Sequence, residues 1–233
     1  MNVQRYARVA GILFLISLVA GGFGEAYAPS KIIVTGDAAA TVANIKNLGF
    51  IYRVGFASFM IESLCDITLA LLLYALLKPV NKYLSLLAAF FGLIATATFA
   101  CAELFYFAPL EIMRSDSYLT TFSPDQLNTL MLLTLKFSMS AGMLTTAYYG
   151  MGWLVRSYLM FASGYLPKFL AVLMAIGGAG FVLRNFLLIL APAYASDVFL
   201  MLMMPGGLIM TGWLIIKGVD VAKWKTANAA SPQ

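Results

Sequence analysis

Glu62 and Asp66 are the residues of this chain best suited to proton chemistry. They stand four apart, so on a helix both carboxylates share one face. Both lie inside an apolar run from about Phe50 to Leu77. Two adjacent carboxylates in a low dielectric cannot both stay ionised without a cation, so one must be protonated or paired. Glu103, Lys136 and Arg184 are also embedded in apolar runs. A charge at mid-bilayer costs roughly 2.5–3.5 kcal/mol on insertion scales, so lipid removes such residues unless something compensates them. At a rise of 1.5 Å per residue, Glu103 lies about 9 Å before Pro109, Arg184 about 10–12 Å before Pro192, and Lys136 about 13 Å after Leu127. These depths nearly coincide, with Glu62 somewhat deeper and Asp66 one turn further in. The expectation is one buried polar network of Glu62, Asp66, Glu103, Lys136, Arg184 and Asn185, with Ser140 and Tyr148 adding hydrogen bonds.

Other chemistries are poorly supplied. The chain has no His, which removes His-based triads, His metal ligands and imidazole acid–base catalysis. Its two Cys, Cys65 and Cys101, cannot build a Cys-rich zinc site or a disulfide scaffold. They sit beside carboxylates, which disfavours the thiolate and leaves them as small packing residues. Gly21-Gly22, Gly177-Gly178-x-Gly180 and Gly206-Gly207 are not phosphate loops, since no strand precedes them and no Gly-Lys-Ser follows. They suit close helix packing. Met201, Met203, Met204 and Met210 read as adaptable core rather than a soft-metal path. No metal, no cofactor and no catalytic residue are expected.

These residues need elements to carry them. Of the 233 residues, 62% are hydrophobic and only 11% charged, where a soluble domain averages about a quarter charged. A soluble chain of this size cannot hide that much apolar surface, so the excess faces lipid. Six stretches reach the roughly 20 residues needed to cross a bilayer. They cover about 10–28, 50–77, 84–110, 127–158, 166–190 and 198–219. No stretch alternates as a strand does, which argues against a barrel. The expected fold is all-α, a single polytopic bundle of six transmembrane helices over 1–233.

Charge placement orients the bundle. With the N-terminus in the cytoplasm, the inner connections receive nine basic residues and the outer ones four, Lys31, Lys46, Arg53 and Arg114. Arg156 counts here as an inner-end residue. The net charge of +5 thus reflects topology, and the scattered basic residues argue against nucleic-acid binding. Ala26-Tyr27-Ala28 resembles a signal-peptide cleavage site, but the following Pro29 disfavours cutting, so the first span is expected to be retained.

Local signals place the connections. Pro79 should end the second helix, and Ser163 to Lys168 forms the matching turn between the fourth and fifth. Asp37 should cap a short interfacial helix over Ala38 to Asn47. Ser123, Pro124 and Gln126 make a capping-box start. Pro205 should kink the sixth helix. Lys82-Tyr83-Leu84 echoes Lys168-Phe169-Leu170 at an offset of 86, an echo that apolar composition alone can produce.

Several segments carry a family resemblance: Arg8-Val9-Ala10-Gly11-Ile12-Leu13, Gly36-Asp37-Ala38-Ala39-Ala40, Cys65-Asp66-Ile67, Lys78-Pro79-Val80-Asn81 and Gly164-Tyr165-Leu166-Pro167-Lys168. In this order and spacing the chain resembles a bacterial integral membrane family of unknown function, the domain of unknown function 4386. The resemblance implies a six-helix membrane protein and brings no activity, cofactor or site residue.

The leading expectation is a non-enzymatic plasma-membrane bundle with an outward-facing polar pocket that binds or passes a small solute or proton. The alternatives are an accessory or scaffold subunit with purely structural charges, and a membrane enzyme acting on a lipid-linked substrate through carboxylates. Expected partners are the lipid bilayer, a small molecule or proton, and a second copy or another membrane protein. The orientation is tested by single cysteines placed at each terminus of a cysteine-free variant. An impermeant reagent applied outside intact cells should label neither; labelling of either terminus contradicts the topology.

Overall fold

The computed structural model describes residues 2–114 and 117–230. Helix dominates these residues and no strand occurs among them. The helices are α1 (Val3–Ile32), α2 (Ala38–Asn47), α3 (Gly49–Leu77), α4 (Lys82–Ile112), α5 (Pro124–Ser163), α6 (Lys168–Leu190), α7 (Val198–Ile216) and α8 (Val221–Ala230). All but α2 and α8 are long and apolar enough to cross a membrane, which gives six spans. The protein is an all-α, multi-pass membrane protein. Its outward side chains agree: Val19, Leu64, Leu71, Leu104 and Ile189 are each more than 60% exposed. Water would not tolerate such a surface, whereas lipid tails favour it.

Helix ends follow local chemistry. Pro79 has no N–H to continue α3, and Val80 N instead donates to Leu77 O at 3.0 Å. Asp37 caps α2 by accepting from Ala40 N at 2.8 Å. Ser123 and Gln126 form the reciprocal capping box that opens α5. The expected sixth span ran to 219, but α7 stops at Ile216. There Gly218, at φ 68°, folds back to donate to Trp213 O. The break in α7 falls at Leu202, one turn before Pro205. Proline removes the bond to the carbonyl four residues back and its ring crowds that carbonyl, so the disturbance lies upstream of it. Pro29 is absorbed similarly: α1 continues through it, preceded by a π-helical segment, Gly22–Tyr27.

The chain packs as two compact units. The first contains 2–16, 65–96 and 144–230. Its centre is Trp153, 1% exposed and stacked on Phe14 at 5.5 Å. α5 and α6 cross on glycine: a Cβ on Gly150 would lie 2.7 Å from Gly178 O, and one on Gly178 would lie 2.9 Å from Gly150 O. Gly177 likewise makes room for Met203. The Leu76 carbonyl, released near the end of α3, accepts from both Tyr165 Oη at 2.7 Å and Trp224 Nε1 at 2.9 Å. This ties α8 and the α5–α6 turn to α3. Burial pushes the Tyr165 phenol up from its ordinary range, so it stays a donor.

The second unit contains 17–64 and the described residues of 97–143. Its core joins Ile32, Ile45, Tyr52, Phe59, Phe99, Tyr106 and Leu135. Asn44 Nδ2 donates to Ile32 O at 3.2 Å and holds α2 against the end of α1.

Candidate functional site

In the second unit, α1 approaches α3 closely because it offers glycine there. A Cβ on Gly24 would lie 2.7 Å from the Phe59 ring, and one on Gly21 would lie 2.8 Å from Glu62 Oε1. The half-buried Glu62 carboxyl therefore rests on bare α1 backbone. One turn apart on α4, Glu103 and Tyr106 share the face turned inward, where they are 8% and 4% exposed. Tyr106 stacks on Tyr52 at 4.5 Å, and Tyr52 Oη donates to Tyr106 O. Phe59 meets Tyr106 and Phe99 edge-on, at 5.3 and 5.5 Å. Each such aromatic pair adds about 0.5–1.5 kcal/mol beyond simple burial. Within this aromatic cage Glu103 Oε2 and Tyr106 Oη have no hydrogen-bond partner among the described residues. Glu25, in the π-helical segment, and the phenols of Tyr52 and Tyr106 are within electrostatic reach of Glu103. Lys136 belongs to this unit too, but on an exposed face with Leu133, Phe137 and Met139.

The first unit holds Asp66, Arg184 and Asn185. Asn185 is 4% exposed and donates to Thr146 Oγ1 at 2.8 Å and Phe181 O at 2.7 Å. Arg184 reaches the turn before α7, where Nη2 and Nε hold Asp197 Oδ1 at 2.6 and 3.1 Å. Asp66 faces a different cation. Together with Gly92, Thr96, Tyr149, Trp153 and Arg156 it lines a cavity of about 10 Å³, too small for more than one water. Arg156 is 4% exposed, its guanidinium 5.1 Å over the Trp153 ring and Nη2 donating to Ala88 O at 3.0 Å. Gly92 supplies the clearance, since a Cβ there would lie 2.7 Å from Nη2.

The arrangement departs from the expected single network at several residues, most clearly at its two expected cations. Lys136 is exposed on an unpacked helix face, where its long stem carries the ammonium outward. Arg184 is engaged by Asp197, which stands just ahead of α7 and within reach of its long side chain. Arg156 was missed by sequence reasoning, because it stands two residues inside the expected end of the fourth span and counted as a topology signal. The usable clue was Asp66, a carboxylate needing a cation deeper than Lys136 or Arg184 would stand. The phenols of Tyr52 and Tyr106 carried no signal distinguishing them from ordinary aromatic core. Cys65 is buried as a packing residue, whereas Cys101 is exposed. Among the described residues, no group of three or more Asp, Glu or Cys is placed to hold a metal ion.

The sequence pattern of a family described as "Domain of unknown function (DUF4386)" matches residues 9–218. An uncharacterized protein of Archaeoglobus fulgidus is 27% identical over 153 residues, which cover 66% of this chain and 76% of the relative. No solved structure matches the chain.

The Arg156 site makes a direct prediction. Truncating one member of a buried charge site costs about 3–5 kcal/mol, because polar partners are left without compensation. Arg156→Met should lower the thermal midpoint in detergent far more than Lys136→Met, whose side chain is exposed. Equal midpoints for the two variants would contradict the buried assignment.

Proposed function

This chain belongs to the DUF4386 family, and on that footing we propose that it is a non-enzymatic membrane bundle whose buried carboxyls bind or pass protons. Glu103 is the central group and Glu62 the second carboxyl of the same unit. One observation carries the reading: Glu103 lies 8% exposed in an aromatic cage, with Oε2 lacking any hydrogen-bond partner among the described residues. Burying an ionised carboxylate without a cation costs several kcal/mol even after relaxation. Taking up a proton removes that charge, and giving it back restores it. Tyr52, Phe59, Phe99 and Tyr106 pack into one core beside Glu103, which favours a proton over a larger solute. Glu25 supplies a neighbouring carboxyl on α1. In this reading the spans lie in a bacterial plasma membrane with both termini in the cytoplasm and this end outside, an orientation that the positive-inside count supports.

A scaffold role is the second reading, and Arg156 favours it. Its guanidinium is enclosed by the Ala88 carbonyl, the Trp153 ring and Asp66, an arrangement suited to fixing helix positions.

Proton passage is tested in liposomes carrying a pH-sensitive dye and a potassium-diffusion potential. Wild-type protein should acidify the lumen faster than empty liposomes, and Glu103→Gln, which keeps the shape but cannot ionise, should fall to the empty-liposome rate. Wild-type flux in Glu103→Gln would remove Glu103 from the function, and no flux in the wild type would favour the scaffold.

A further inference from the structure

A larger cavity, of about 210 Å³, lies in the second unit. Arg53, Phe107, Leu110, Glu111, Met113 and Arg114 line it. Its position follows from the helices: Arg53 is one turn into α3, and the other five occupy the last two turns of α4 and the residues just beyond. Phe107 stands about 8 Å inside the end of α4, taking 1.5 Å per residue. The cavity thus sits where two spans reach the membrane boundary, with an apolar floor and a charged rim.

Among the described residues, the charges at the rim do not cancel. Arg114 Nη1 holds Glu111 Oε2 at 2.8 Å, which leaves the exposed Arg53 as surplus positive charge. Arg114 keeps further N–H groups, since a guanidinium has five and Glu111 takes one. Guanidinium groups bind phosphate oxygens through paired, charge-assisted hydrogen bonds. A free anion would use the rim but gain nothing from Phe107, Leu110 and Met113. A phosphate carried on an acyl chain would use both.

We propose that this cavity is a binding site for an anionic phospholipid, with the phosphodiester between Arg53 and Arg114 and the upper acyl chain against Phe107, Leu110 and Met113. The lipid site does not rest on the proton-handling reading: its charged groups, Arg53, Glu111 and Arg114, are not part of the Glu103 cage, although Leu110 and Met113 pack against the same core. Glu111 sets its charge preference: it moderates the positive rim and disfavours headgroups of higher negative charge.

The test uses the purified full chain in a maltoside detergent, titrated with dioleoyl phosphatidylglycerol, dioleoyl phosphatidylcholine or sodium phosphate. Thermal midpoint and native mass spectrometry report binding. Phosphatidylglycerol should raise the midpoint and remain bound, whereas phosphatidylcholine should do neither. Arg53→Gln and Arg114→Gln should each weaken phosphatidylglycerol binding about tenfold, the scale of one charge-assisted hydrogen bond. Both side chains are exposed, so the variants should fold, and mass spectrometry counts bound lipid even if their midpoints shift. Equal retention of the two lipids, or wild-type binding in both variants, would overturn the proposal. Stabilisation by sodium phosphate equal to that by phosphatidylglycerol would overturn the lipid and leave a bare anion site.

Discussion

Every feature of this protein answers to one constraint, the cost of holding an ionisable side chain between helices and away from water. Hydrophobic segregation does not drive helices together in lipid, since tails are as apolar as leucine. Packing and polar contacts must do so, and each polar group then needs a partner. Arg156 and Glu103 meet this constraint in opposite ways. Arg156 keeps its charge, and the protein supplies a backbone carbonyl, an indole face and a nearby carboxylate. Glu103 has the phenols of Tyr52 and Tyr106 and the Glu25 carboxyl around it, and in the proposed reading it meets the constraint by carrying a proton. The first arrangement is suited to permanence. The second is suited to exchange.

Glycine is what lets both sites exist. At Gly92 it clears space for a guanidinium, at Gly21 for a carboxyl, and at Gly24 for the ring that walls the cage. Each would collide with a Cβ closer than 3.0 Å. The π-helical segment ahead of Pro29 belongs to the same construction. It shifts the register of α1 where Gly24 meets Phe59, and Phe59 in turn packs edge-on against Tyr106 and Phe99.

Local signals in the sequence translated well into structure. Spans, caps and turns depend on residues within a turn or two of one another, so Asp37, Pro79 and the Ser123–Gln126 box could be placed without knowing the neighbours. The buried charges depend on which helices meet, and periodicity does not contain that. Depth along the axis follows from the rise per residue, but azimuth does not, and Lys136 stands at the right height on an exposed face. Arg184 found Asp197 in a connecting turn, a partner outside any span. Arg156 was hidden by the very rule that oriented the bundle, since basic residues near span ends are normally solvated. The aromatic cage was invisible for a different reason: seventeen Phe and twelve Tyr are too many to single out four.

The account's central claim is that Glu103 holds a proton inside its aromatic cage. Infrared difference spectroscopy of membranes reads this directly, through the carbonyl stretch of a protonated carboxylic acid. At neutral pH the wild type should show that band, shifted in heavy water and missing from Glu103→Gln. A wild-type spectrum without it, or an unchanged band in Glu103→Gln, would contradict the claim.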